Sequence, residues 1–168
     1  HIRREKANSN ICTAQVLLAN IAALYAMYHG PAGIEKIAKR IHRLTTILAK
    51  GLSDAGLSIL NENYFDTLTV SIAEDQAQAV SERALLAGVN LRMDRLQKHG
   101  SVGISLDECT TESDVERLWQ VLLGKDSESI SVAAIDTAIT SGEIAPVIPD
   151  KLLRQSGYLQ HPIFRRYH

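Results

Sequence analysis

The residues best suited to chemistry stand at the start of the chain. Arg3, Arg4 and Lys6 are followed by Asn8, Ser9 and Asn10, then by Cys12 and Thr13. Behind them runs an apolar segment, Val16 to Tyr28, of helical length. Asn8, Ser9 and Asn10 offer side-chain oxygens for a helix N-cap. The free N–H groups and positive dipole end of that helix face back toward three cations. Cations there are unfavourable unless an anion lies between them. The stretch therefore has two readings. One is a solvated arm. The other is a wall of an anion site suited to a carboxylate or a phosphate. Arg3, Arg4, Lys6, Ser9, Asn10, Cys12 and Thr13 are the candidate residues of such a site mouth or interface. Cys12 is either a thiol activated by the dipole and the cations or a small buried hydrophobe.

Elsewhere the chemistry is sparse. His1, His29, His42, His99, His161 and His168 show no metal-ligand spacing. His29 reads as a helix-end residue and His161 as part of a turn. Cys12 and Cys109 are too far apart for a disulfide framework or a zinc pattern, and they suit a reducing compartment. Arg92 and Arg95 flank a strand end, as solvated charges or facing an acidic partner. No glycine-rich phosphate loop, nucleophile triad or carboxylate pair is visible. A net charge of −1 and 5% aromatic residues argue against a nucleic-acid binder.

The 168 residues hold the elements that must position these groups. Ile11 to Met27 is the one membrane candidate, but Gln15 and Asn20 interrupt it and Gly30-Pro31 stops it. It also falls short of the roughly 20 residues a bilayer needs. A helix buried between neighbours is expected instead, with no membrane contact. A second helix, from near Gly33, carries Ile34, Ile37, Ile41, Leu44, Leu48 and Leu52 at steps of three and four, and Gly56 stops it. The period then changes to two. Strands are expected near 57–61, 65–72, 89–94 and 101–106, with Leu68, Val70 and Ile72 on one face and Thr67, Thr69 and Ser71 on the other. A helix at 75–87 separates the two pairs. Thr111 and Asp114 form a capping box for a helix buried through Val115, Leu118, Trp119 and Leu122. Lys125 to Ser129 reads as a polar linker, Ile130 to Ile139 as a short helix, and Asp150 to Gln155 as a turn of helix. The fold class is α+β, a two-layer αβ domain. Its antiparallel four-stranded sheet is covered by helices on one face and preceded by two long helices.

The start of the chain also carries a resemblance. It is similar to a segment of the glycine cleavage system P-protein family, glycine dehydrogenase (decarboxylating), that reads Arg-Glu-Lys-Ala-Thr-Ser-Asn-Ile-Cys-Thr-Ala-Gln. Arg4 to Ala7 and Ser9 to Gln15 match it, and Asn8 stands where the family has Thr. The match continues in Leu17 to Asn20 and Tyr28 to Pro31. It returns in Leu152 to Ser156 and His161 to Phe164.

The resemblance implies a parent enzyme that uses pyridoxal phosphate to decarboxylate glycine and passes the aminomethyl group to the lipoyl arm of the H-protein. It implies the small C-terminal domain of a fold-type-I enzyme, placed at the end of the first of two homologous halves. Residues 1–56 would then link to a large domain, 57–125 form the small αβ domain, and 126–168 lead to the second half. The family holds the cofactor on a lysine in a His-Lys pair followed by glycines. No such pair exists here, and Lys36, Lys39, Lys50, Lys98, Lys125 and Lys151 read as surface residues. The fragment is therefore expected to be non-catalytic and to bind no cofactor covalently. Its expected partners are the second half, which carries the lysine, and the H-protein, with self-association of the fragment also open. The chain begins with His and shows no signal peptide, so it reads as an excised piece. The expected location is the bacterial cytoplasm, or the mitochondrial matrix in a eukaryote. From the residues alone an alternative stands, an independent αβ small-molecule-binding or regulatory dimerisation module.

Overall fold

The computed structural model describes residues 13–94 and 100–166. The element order is α1 (Thr13–Asp54), β1 (Thr67–Ile72), α2 (Glu74–Leu86), β2 (Arg92–Asp94), β3 (Gly100–Ser105), α3 (Glu112–Leu123) and α4 (Val132–Ser141). Short 3-10 turns lie at Gly124–Ser129, Asp150–Leu152 and Pro162–Arg165. The first of them replaces the expected linker. Two compact units divide the chain. One holds residues 37–154, and the other holds residues up to 36 together with 155–168.

The two expected long helices are two helical stretches merged within α1. Gly30, at φ 60° and ψ 178°, is not helical. Pro31 follows it and opens the second stretch, a position where a missing N–H and a fixed φ cost nothing. The Tyr158 hydroxyl donates to the Pro31 carbonyl beside this break.

The larger unit is built as its periodicity dictates. Ile41, Leu44, Leu48 and Leu52 of α1 are buried, and Ile47 joins them. Thr45 and Thr46 are buried too, each hydroxyl donating to the carbonyl four residues back at 2.9 Å. Leu68, Val70 and Ile72 of β1 and Val102 and Ile104 of β3 present the apolar side of the sheet to the same core. Val80 and Ala84 of α2 and Val115, Leu118, Trp119 and Leu122 of α3 complete it.

The sheet has three strands rather than four, all antiparallel, in the order β1-β3-β2. The expected strand at 57–61 contracts to a single bridge, Ile59 to Val70. Leu60 N–H donates to the Thr69 carbonyl at 2.8 Å, but the Thr69 N–H donates to the Asn61 side chain at 2.6 Å. A side-chain acceptor thus takes the next ladder position and ends the pairing. The expected strand at 89–94 shortens to three residues for a related reason. Val89 N–H closes on the Ala84 carbonyl at 2.9 Å, and Gly88 N–H on Leu85 at 3.1 Å. This is a Schellman end to α2, with Gly88 at φ +66°, and it holds Val89 outside the ladder.

Side chains close both ends of α3. Thr111 and Asp114 make both bonds of the capping box at the start of α3. At its other end the Arg83 guanidinium donates to the carbonyls of Val121 at 2.7 Å and Leu122 at 3.1 Å. It supplies donors and positive charge where helix carbonyls lack partners. Arg43 pairs with Asp136 and donates to Thr140 Oγ1 at 2.7 Å, tying α1 to α4.

Trp119 is 1% exposed, and its indole N–H donates to the Leu48 carbonyl at 3.1 Å. Its ring lies directly over Gly51, where an added Cβ would sit 2.5 Å from two ring carbons. Gly51→Ala is therefore expected to destabilise this unit by about 1–3 kcal/mol through overpacking, read as a lower urea midpoint.

The same contacts set an acid response. The Arg43 hydrogen bond, larger than the opposing effect of burial and helped less by the Arg43 charge, holds the Asp136 carboxyl below the usual range. Hydrogen bonds from Thr111, side chain before backbone, do the same for Asp114. A depressed folded pKa gives stability that is fully present above the unfolded value, about 3.9 for Asp. It is lost as pH falls through the folded value. Wild type is expected to lose stability below about pH 4. Asp136→Asn and Asp114→Asn should be less stable than wild type at pH 6, and the gap should narrow toward pH 2 in urea titrations at each pH.

Candidate functional site

Of the residues singled out for chemistry, Arg3, Arg4, Lys6, Ser9, Asn10 and Cys12 lie outside the described residues. Thr13 is the first residue of α1, and its backbone is helical. The first stretch of α1 runs on from it, and the helix expected to be buried between neighbours has most of its large apolar side chains exposed in this chain. Leu17 is 62% and Leu18 67% exposed, and Val16, Ile21, Leu24 and Tyr28 are exposed as well.

That stretch ends in an aromatic cluster. The His29 ring lies 4.4 Å from Tyr25 and 5.0 Å from Tyr28, centroid to centroid. Its Cβ is 3.1 Å from the position a Cβ would take at Gly33. His29 thus stands at the helix end before Gly30, as its sequence position implies, and its role there is packing.

In the larger unit the arginines are more engaged than their helical positions suggest. Arg40 donates to the Thr110 carbonyl at 2.6 Å and the Glu108 carbonyl at 3.2 Å. It thereby holds the turn that Asp107 organises, where Asp107 Oδ1 accepts from the N–H groups of Cys109 and Thr110. Cys109 is a free, exposed thiol in that turn. Arg40 and Arg43 had no sequence signal beyond a polar face, because their acceptors lie far away in the chain, as far as 97 residues for Arg43. Arg92 is exposed on β2, and its guanidinium lies flat over Gly103 on the neighbouring strand, at the register where these two residues pair. Arg95 lies outside the described residues.

His42 is held in a similar way. Its Nδ1 is 3.0 Å from the Phe65 carbonyl, and its ring stacks on Phe65 at 5.7 Å. Nearby Tyr64 has its phenol pushed up by burial, against a smaller opposing hydrogen bond with Thr46.

The described lysines stand at the surface or in an ion pair. Lys36, Lys39, Lys125 and Lys151 are exposed. Lys50 pairs with Asp54 one turn further along the helix. An open groove of about 440 Å³ is lined by Trp119, Glu116, Gln120, Lys125 and Glu128 among others, a mixed surface with two acids beside its one lysine. Among the described residues no group of His, Cys, Asp and Glu could hold a metal ion. No helix among them is long and apolar enough to cross a membrane.

Comparison with known proteins gives the arrangement its context. The family model of the glycine cleavage system P-protein matches residues 1–122. Over the whole chain, glycine dehydrogenase (decarboxylating) of Serratia proteamaculans is 55% identical, that of Shewanella halifaxensis 54% and that of Idiomarina loihiensis 51%. The chain spans only 17% of the length of each of these relatives. A family match over most of the chain, and identity above one half from end to end, place this segment among them: it belongs to the glycine cleavage system P-protein family.

Proposed function

We propose that this chain is a non-catalytic segment from the first half of a glycine-decarboxylating P-protein, working in the cytoplasm or its organellar equivalent. Its larger unit serves as the small αβ domain of a fold-type-I enzyme. Residues 1–56 connect it to the large domain and 126–168 lead toward the second half. The observation that carries this reading is the end-to-end identity of 55% with a glycine dehydrogenase (decarboxylating). The described lysines, all on the surface or ion-paired, agree with a cofactor held elsewhere. In the whole enzyme, pyridoxal phosphate supplies the electron sink for losing CO2 from glycine. The second half provides the lysine that holds it, and the lipoyl arm of the H-protein takes the aminomethyl group.

This chain's own part is to shape the site mouth. Arg3, Arg4 and Lys6 supply positive charge, Ser9, Asn10 and Thr13 supply polar groups, and Cys12 completes the set. Together they suit the carboxylate of a small amino acid or a phosphate. The rival reading, an independent small-molecule-binding or regulatory module, is disfavoured by a match that runs the full length of the chain.

The test is steady-state glycine decarboxylation by the full P-protein carrying this segment. Arg4→Ala and Ser9→Ala are expected to lower turnover about tenfold or more, with little change in melting temperature. Leu44→Ala should do the reverse, losing about 2–5 kcal/mol through the cavity it leaves. Normal turnover in both site-mouth variants would reduce residues 3–13 to a connector.

A further inference from the structure

Gly30 breaks α1 at φ 60° and ψ 178°, a combination that glycine alone adopts readily. At such a break the last carbonyls of one helical stretch and the first N–H groups of the next lose their partners. Pro31 removes one of those donors. With no ladder bond across it, a break of this kind is a joint. Gly30 is nonetheless buried. One donor reaches the joint from far along the chain, where the Tyr158 hydroxyl bonds to the Pro31 carbonyl. The compact unit that holds the residues up to 36 also holds 155–168.

The tail is shaped to deliver that hydroxyl. Residues 150–157 are exposed, and the chain becomes half-buried at Tyr158 and Leu159, then again at Ile163 and Phe164. Leu159 has φ 46°, the one positive value at a non-glycine among the described residues, which the structure around it must impose. The Gln160 amide folds back over Gly157. His161 Nδ1 accepts from the Ile163 N–H at 3.3 Å and caps the turn Pro162–Arg165. The buried core of the larger unit runs from Ile41 to Ile135 and includes none of these residues.

A small rotation at the joint has a long reach. From Thr13 to His29 the helix extends about 25 Å, at about 1.5 Å per residue. A swing of about 10° at Gly30 therefore moves Thr13 by about 4 Å. Misplacing a binding group by about 1 Å can cost on the order of 100-fold in rate. A single hydrogen bond adds little to global stability, but at the pivot of a lever this long it decides where the far end lies.

We propose that the tail from Tyr158 to Phe164 is a clasp on the break in α1, and that Tyr158 is a positioning residue. Its hydroxyl on the Pro31 carbonyl fixes the direction of the first stretch of α1, and so the point from which residues 3–13 extend. This rests on the site-mouth reading above and adds to it the element that aims the mouth.

The test uses Tyr158→Phe in the full P-protein carrying this segment, which keeps the ring and removes the hydroxyl. Hydrogen exchange followed by peptide-resolved mass spectrometry is expected to speed up about fivefold or more over residues 27–36. Residues 41–52 should exchange as in wild type, and the melting temperature should stay within about 2 °C. In steady-state glycine decarboxylation the KM for glycine is expected to rise about fivefold or more, with kcat changed less, because a misdirected mouth loses substrate binding first. Unchanged exchange over residues 27–36 would overturn the clasp. Faster exchange there with an unchanged KM would overturn the positioning role. Faster exchange over residues 41–52 as well, with a lower melting temperature, would make the hydroxyl a general stability contact and overturn both. If the wild-type full protein fails to decarboxylate glycine, the functional reading falls and the positioning role with it, while the exchange over residues 27–36 still decides the clasp.

Discussion

The fold of the larger unit depends on one contact, the indole of Trp119 laid over Gly51. It joins α3 to α1 across a long stretch of sequence. It combines burial of the largest side chain in the core with a hydrogen bond from the indole N–H to the Leu48 carbonyl. The absence of a side chain at Gly51 lets the ring reach the helix backbone. A buried Trp must place its N–H on an acceptor, because an unsatisfied donor in the core costs about 1–3 kcal/mol. That requirement fixes the register of α3 on α1 more sharply than apolar packing alone, since a shift of one turn would strand the donor. Leu68, Val70 and Ile72 of β1 and Val102 and Ile104 of β3 belong to the same core.

Polar contacts do the finer positioning. Arg83 of α2 closes the carbonyl end of α3, and the Thr111–Asp114 box closes the other end. Arg40 of α1 holds the Asp107 turn by its carbonyls. These arginines address backbone carbonyls, so their contacts constrain the path of the chain rather than the identity of a partner side chain. The domain is thereby fixed by its own residues. The first stretch of α1 keeps Val16, Leu17, Leu18, Ile21 and Leu24 exposed.

Much of this was legible in the sequence. The steps of three and four from Ile37 to Leu52 mark the core helix, because a helix buried on one face must repeat every 3.6 residues. The alternation at Leu68, Val70 and Ile72 marks the strand, and Thr111 with Asp114 marks where α3 begins. Each is a local pattern set by local geometry. The family was legible too, in the motif from Arg4 to Gln15, although the residues of that motif before Thr13 lie outside the described part of the fold.

What the sequence left open depended on distant partners. The strand expected at 57–61 is apolar enough to pair, yet Asn61 ends it by taking the Thr69 N–H, a competition visible only once the two segments meet. The strand at 89–94 starts late because Val89 serves the end of α2 first. Arg40, Arg43 and Arg83 look like solvent-facing charges until folding brings carbonyls and Asp136 beside them. Gly51 looks like a weak point in a helix until Trp119 arrives. Composition and period determine which residues seek burial and in which element. Only the tertiary structure decides which backbone groups are already taken, and so where each element must stop.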